Sequence, residues 1–249
     1  MQFTYDAYKT MITDLIENGY SISDYKNCKS KKKTVILRHD IDTDISKAVR
    51  MAKIESDLSV SSTYFVLLTS QFYNLMAKDT LEELKKIKNR YGHNIGLHFD
   101  ELNYTNEYYK NNGGIKNTIL TECEILKTIT GFEIDYVSMH RPSRETLTAD
   151  YDLSPAINSY SSYFFKEFKY VSDSRRQWRE DIDEIIKSGR YDKLHILTHA
   201  FWYNDIEENI ETTISKFINN GNMNRYDILN KNITNLDTIV ERKEIMEEQ

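Results

Sequence analysis

Short apolar runs and stretches of helical periodicity take turns along most of the chain. Between Phe3 and Gly19, the residues Tyr5, Tyr8, Met11, Ile12 and Leu15 recur at spacings of three and four. That spacing predicts a helix, with Gly19 placed to stop it. Thr34–Leu37 reads as a buried strand, and Ile45–Leu58 as a helix with Asp44 at its N-cap. Ser62–Leu68 predicts a second strand, Leu81–Tyr91 a helix ended by Gly92, and His93–His98 a third strand. Ile115–Ile129 predicts a helix stopped at Gly131, followed by a strand over Ile134–Met139. A short strand at Tyr170–Ser172, a helix at Ile182–Ser188, a strand at Lys193–Thr198 and a helix at Ile206–Asn219 follow, then a polar tail that is partly helical. Alternation this regular predicts an α/β fold, a parallel sheet or barrel with helices outside. In such folds the chemistry gathers where the strands end.

Composition narrows the picture. Hydrophobic residues make up 39% of the 249 positions and aromatics 12%, as in a foldable globular chain. The net charge of −6 lacks the basic face expected of a nucleic-acid binder. The only cysteines, Cys28 and Cys123, are far apart and imply neither a disulfide framework nor a thiolate zinc site, which fits a reducing cytoplasm. The N-terminal stretch has no apolar core of signal-peptide length, and no segment approaches the ~18 apolar residues that span a bilayer. With no low-complexity tract, repeat or linker, a single domain over 1–249 is expected. It has an opening helix at 3–19, a motif-bearing core from about residue 34 to 220, and the polar tail.

Charge then appears where the strands stop. Of the 6 histidines, His39, His98, His140 and His199 each close a predicted strand. Asp40 and Asp42 follow the first, Asp100 the second, Arg141 the third, and Asp173 a further short strand. In a parallel fold all of these face one mouth. Aspartate and imidazole together suit a divalent cation such as zinc, and a spare carboxylate can take a proton from an activated water. In Asp40-Ile41-Asp42, period-two alternation puts both carboxylates on one side of an extended segment. His93 begins its strand, about 16 Å of strand away from the rim, and His195 lies mid-strand. Both read as structural.

Five segments carry a resemblance: RHDID (38–42), GHNIGLHFD (92–100), HRPS (140–143), SDSRRQW (172–178) and ILTHAFWY (196–203). In this order they resemble the polysaccharide deacetylase family of NodB-homology domains, in the branch with RHDxD and IGLHxD motifs. The resemblance implies a distorted (β/α) barrel of about seven parallel strands with outer helices, and a divalent metal, usually zinc. It also implies hydrolysis of an acyl group on a sugar. It matches Asp40 to the catalytic base, Asp42 and His98 to metal ligands, and Arg141 to the arginine that positions the base. Asp173 matches a supporting aspartate and His199 the general acid. Leu197 matches a leucine lining the acyl pocket, and Trp178 an aromatic beneath the site. Trp202, in the AFWY segment, could stack on a sugar ring.

One position departs from the pattern. The family's second histidine, four residues after the first, is here Leu102. His140 is the preferred third ligand, with Asp100 the other candidate. The expected function is a metal-dependent deacylase acting on the C–N bond of an N-acetyl or N-formyl amino sugar in glycan or surface-polysaccharide biosynthesis. Its substrate would be a nucleotide-sugar, a lipid-linked glycan or a soluble sugar. The alternative is a non-catalytic carbohydrate-binding member of the same fold. A glycosyltransferase, suggested by the DxD alone, leaves the histidine motifs unexplained.

Overall fold

The structure, a computed structural model, describes residues 1–30 and 32–242. Contacts divide it into two units, Met1–Asp205 and the segment from Ile206 onward. In chain order the first half contains α1 (Tyr5–Glu17), β1 (Ser21–Ser23), β2 (Thr34–Ile41), α2 (Ile45–Asp57), β3 (Thr63–Val66), α3 (Lys78–Lys85) and β4 (Asn94–Asp100). Next come α4 (Asn106–Asn111), α5 (Gly114–Thr130), β5 (Tyr136–His140), α6 (Arg144–Ala149), β6 (Ile157–Asn158) and α7 (Ser162–Glu167). The first unit ends with β7 (Lys169–Ser172), α8 (Ile182–Ser188) and β8 (Lys193–Thr198). The second unit is built on α9 (Ile210–Asn230), where the Tyr226 hydroxyl donates to the Val240 carbonyl at 3.1 Å.

Seven parallel strands in the order β6-β5-β4-β3-β2-β8-β7 form a curled, distorted α/β half-barrel with helices around it. Strand β1 pairs with the first half of β2, through Ser21–Thr34, and β3 with its second half, through Arg38–Thr63. Because strand side chains alternate, each strand feeds two separate layers. Val35, Leu37, Ile41, Tyr64, Val66, Leu97 and Ile196 join the core shared with α1, α2, α5 and α8. Ile36, Phe65 and Tyr136 point the other way and meet Tyr25, Phe164 and Phe168 inside the curl. The Tyr25 ring lies 6.2 Å from Phe65, 5.6 Å from Tyr136 and 5.4 Å from His195, contributed by three different strands. Gly96 makes that closeness possible. A Cβ there would lie 2.6 Å from the Phe65 ring and 2.7 Å from the Tyr136 carbonyl oxygen.

Strand β2 runs to Ile41, four residues past the predicted end at Leu37. This moves His39. It does not face the mouth with the other strand-end histidines, but points outward into the helix layer. There its Nε2 donates to Glu55 Oε1 at 2.8 Å, while Nδ1 lies 2.6 Å from Thr198 Oγ1. The fully buried Glu55 carboxylate also accepts from the hydroxyls of Tyr8 (2.6 Å), Tyr64 (2.7 Å) and Ser62 (2.7 Å). His93 closes this network, accepting from the Ser62 amide and bonding the Ala52 carbonyl at 2.8 Å, a structural role. The short elements β1, β6, α4, α6 and α7 went unpredicted, and α9 begins at Ile210 and runs on to Asn230.

Burial alone would raise the Glu55 carboxyl, but His39, with His93 and Tyr8, reverses this and holds it at about 2. A carboxyl lowered in the folded state contributes stability above its unfolded pKa of about 4.3 and loses it as pH falls through the folded value. Removing one partner from such a buried pair costs about 3–5 kcal/mol. Glu55→Gln is therefore expected to lose that much in urea unfolding at pH 7. Its stability should also fall less steeply than that of the parent chain as pH drops from about 4 toward 2. A loss below about 1 kcal/mol would mean that the network adds little to stability.

Candidate active site

The inward positions of β2, after Ile36, are Arg38 and Asp40, and Asp42 follows just past the strand end. Arg38 is fully buried and grips Asp40 with both arms, Nε to Oδ1 at 2.8 Å and Nη2 to Oδ2 at 2.7 Å. Burial would raise the Asp40 carboxyl, but Arg38 first, then His98 and His199, hold it below the usual carboxylate range. Arg38 also lies under the Tyr160 ring, 4.7 Å from its centroid.

On β4 the inward residues beyond Gly96 are His98 and Asp100, and on β5 they are Ser138 and His140. The strands pair in register, His98 opposite Ser138 and Asp100 opposite His140. His98 Nε2 approaches Asp40 Oδ2 at 3.5 Å and Asp42 Oδ1 at 3.4 Å. Among the described residues, buried Asp42 Oδ1 has no hydrogen bond of good geometry, only the long approach of His98 Nε2. Burial favours its neutral form, yet His98, with His199 and His140, holds Asp42 far below the ordinary range. Asp42, His98 and His140 each offer a ligand atom, and these lie within 4.8 Å of one another. Two imidazoles and one carboxylate suit a zinc-type ion with a coordination position left over, so the donor set and the poorly partnered Asp42 oxygen fit a divalent cation.

The opposite wall is built by β7 and β8. Asp173, fully buried just after β7, accepts from the His199 amide at 3.0 Å and from the Tyr203 hydroxyl at 3.1 Å. It also holds His199 Nδ1 at 2.6 Å, so that Nε2 is the ring nitrogen not engaged by Asp173. Burial would lower the His199 pKa, but Asp173, then Asp42 and Asp40, raise it to about 9, which favours the protonated ring. Leu197, buried on β8 between His195 and His199, pairs in register with Arg38 and Ser172. His195 bonds the Tyr25 hydroxyl at 2.9 Å deep inside the curl, and burial keeps it neutral, with a pKa of about 3.

Asp40, Asp42, His98, His140, Asp173 and His199 thus stand at the C-terminal mouth. Arg141 is placed differently from the expectation. It is 63% exposed, adopts the left-handed conformation (φ 47°), and its Nη2 donates to Asp100 at 2.9 Å. The guanidinium on Asp40 is that of Arg38, because Arg38 shares its strand and its face. The signal was present in the RHD segment, where an arginine stands two residues before an aspartate. Trp178 and Trp202, both partly buried, pack against the main apolar core. Leu102 is 67% exposed in the turn after β4 and holds no comparable position.

No family model and no curated protein sequence matches the chain. Among solved structures it is similar to a family 4 carbohydrate esterase from Bacillus anthracis, at 20% identity and TM-score 0.42, covering 84% of this chain and 83% of that one. It is similar to a Streptococcus mutans CE4 esterase at 15% identity and TM-score 0.46, covering 81% and 84%. A chitin deacetylase from Colletotrichum lindemuthianum follows at 12% identity and TM-score 0.42, covering 82% and 87%. At such values the functional reading rests on the site's own geometry.

Since Asp173 contributes most to raising His199, by charge and by its bond to Nδ1, Asp173→Asn is expected to lower that pKa clearly from about 9. NMR titration of the imidazole in metal-free protein measures it. An unmoved titration would place the source of the shift elsewhere.

Proposed function

We propose that the protein is a metal-dependent carbohydrate deacylase of the NodB-homology type, removing a small N-acyl group from an amino sugar. One observation carries this reading. A carboxylate-plus-imidazole cluster suited to a cation lies against an ionised, arginine-held aspartate, in the same mouth as an aspartate-held histidine. The order of the five sequence segments supports the same class.

Asp42, His98 and His140 would hold the cation. When bound, a zinc-type ion polarises an acyl carbonyl and makes a coordinated water acidic. Asp40 accepts the proton of the attacking water, and the two bonds from Arg38 keep that carboxylate ionised and fixed in direction. His199, in the protonated form that Asp173 favours, donates from Nε2 to the leaving nitrogen. Asp173 holds the His199 ring at Nδ1 and balances its charge. The C–N bond breaks, water supplies the new oxygen, and the products are a carboxylate and a free amine. Leu197 would offer an apolar wall for a methyl or hydrogen substituent on the carbonyl, Trp202 would stack on the sugar, and Trp178 would pack beneath the site. An N-acetyl or N-formyl amino sugar is the proposed substrate class, with glycan or surface-polysaccharide biosynthesis as its setting. No helix among the described residues is long and apolar enough to cross a membrane.

Asp40→Asn is expected to keep its metal and lose about 10²–10⁴-fold in turnover, the usual range for a general base. His98→Ala is expected to lose both metal and turnover. Elemental analysis and release of acetate or formate from N-acyl amino sugars measure the two. Unchanged turnover in both variants would end the proposal. Substoichiometric metal with chelator-insensitive glycan binding would favour the non-catalytic carbohydrate-binding reading.

A further inference from the structure

The two imidazoles proposed as ligands stand on neighbouring rungs of the β4–β5 ladder, on opposite strands. On the first rung His98 belongs to β4 and its partner Ser138 to β5, with Nδ1 and Oγ 2.6 Å apart. On the next inward-facing rung the arrangement is reversed. His140 belongs to β5 and Asp100 to β4, with Nδ1 and Oδ2 3.0 Å apart. We infer that Asp100 is the positioning residue that aims His140, fixing its Nδ1 as the protonated nitrogen and presenting Nε2 to the cation. This deepens, and rests on, the ligand set proposed above.

The chemistry of the contact sets the tautomer. An ionised carboxylate can only accept, so the proton in this bond sits on His140 Nδ1. A neutral ring with Nδ1 protonated keeps its lone pair on Nε2, the only nitrogen left able to bind a metal. The aspartate is itself well fixed. Its Oδ2 also accepts from Arg141 Nη2 at 2.9 Å, and its Oδ1 from the Leu102 amide at 3.1 Å. Asp100 is only 13% exposed, so water competes little for these bonds. Committed to three donors, it is better placed to orient a ligand than to be one. Arg141, displaced from the base, acquires a position here too, steadying the carboxylate that steadies His140. Partners of this kind are worth about 10–100-fold in metal affinity.

The test is zinc affinity measured by chelator competition, with histidine tautomers read by long-range nitrogen–proton NMR on the metal-free protein. Asp100→Ala is expected to weaken zinc binding by about 10–100-fold. Asp100→Asn retains a carbonyl oxygen that can accept from Nδ1, and is expected to recover most of that loss. In the parent chain His140 should carry its proton on Nδ1, and in Asp100→Ala that preference should disappear. Asp100→Ala with unchanged affinity would overturn the inference, as would Asp100→Asn binding zinc as weakly as His140→Ala, which would make Asp100 itself a ligand. A parent His140 protonated on Nε2 would overturn it as well. His140→Ala with unchanged zinc affinity would instead remove His140 from the ligand set, while the tautomer measurement would still report on the Asp100 contact. Circular dichroism and thermal midpoints of each variant separate these outcomes from failure to fold.

Discussion

Burying Asp40 at the floor of the mouth would be prohibitive without the guanidinium of Arg38, which is buried with it. The two residues face the same side only because they stand two apart on one extended strand. A one-residue slip of β2 would send both charges into the apolar layer beneath α1 and α2, and turn Val35 and Leu37 inward. The pairings of β2 with β1, β3 and β8 oppose such a slip along its whole length. Through His98, 3.5 Å from the same carboxylate, that register also sets where β4 brings its imidazole. The site is therefore a property of strand alignment more than of any loop.

The same strand supports a second charged centre on its other face. His39 lies between Arg38 and Asp40 in sequence, yet it is turned toward Glu55. One buried carboxylate on α2 there gathers side chains from α1, β2 and β3, together with Ser62 just ahead of β3. The inner pair serves the mouth, while the outer cluster ties the helices to the sheet. The sheet keeps them apart, so one can be altered without directly touching the other.

The alternation of strand and helix was legible in the sequence because long amphipathic segments and apolar runs dominate their local energetics. The curled α/β barrel follows from it. Strand β8 and helix α8 appear where the pattern puts them, at Lys193–Thr198 and Ile182–Ser188. The end of β2 did not, because charge at Arg38 looked like a strand boundary, although it marks continuation into a polar interior. That misplacement put His39 at the mouth and hid Arg38 as the partner of Asp40. The elements β1 and β6 are too short for periodicity to register, and their places are fixed by tertiary pairing. At the site, the acids and histidines were recognisable as strand-end residues. Which guanidinium meets which carboxylate depends on cross-strand register, which one sequence does not display.

The Glu55 cluster has a consequence for how this chain can diverge. A carboxylate that accepts from three hydroxyls and an imidazole cannot give way to an apolar side chain without stranding all four donors in an apolar layer. Nor can a single donor become apolar without loosening the rest. Positions 8, 39, 55, 62, 64 and 93 should therefore be inherited as one block in descendant sequences. They would persist together or be replaced together by hydrocarbon, whatever happens at the mouth on the far side of the sheet.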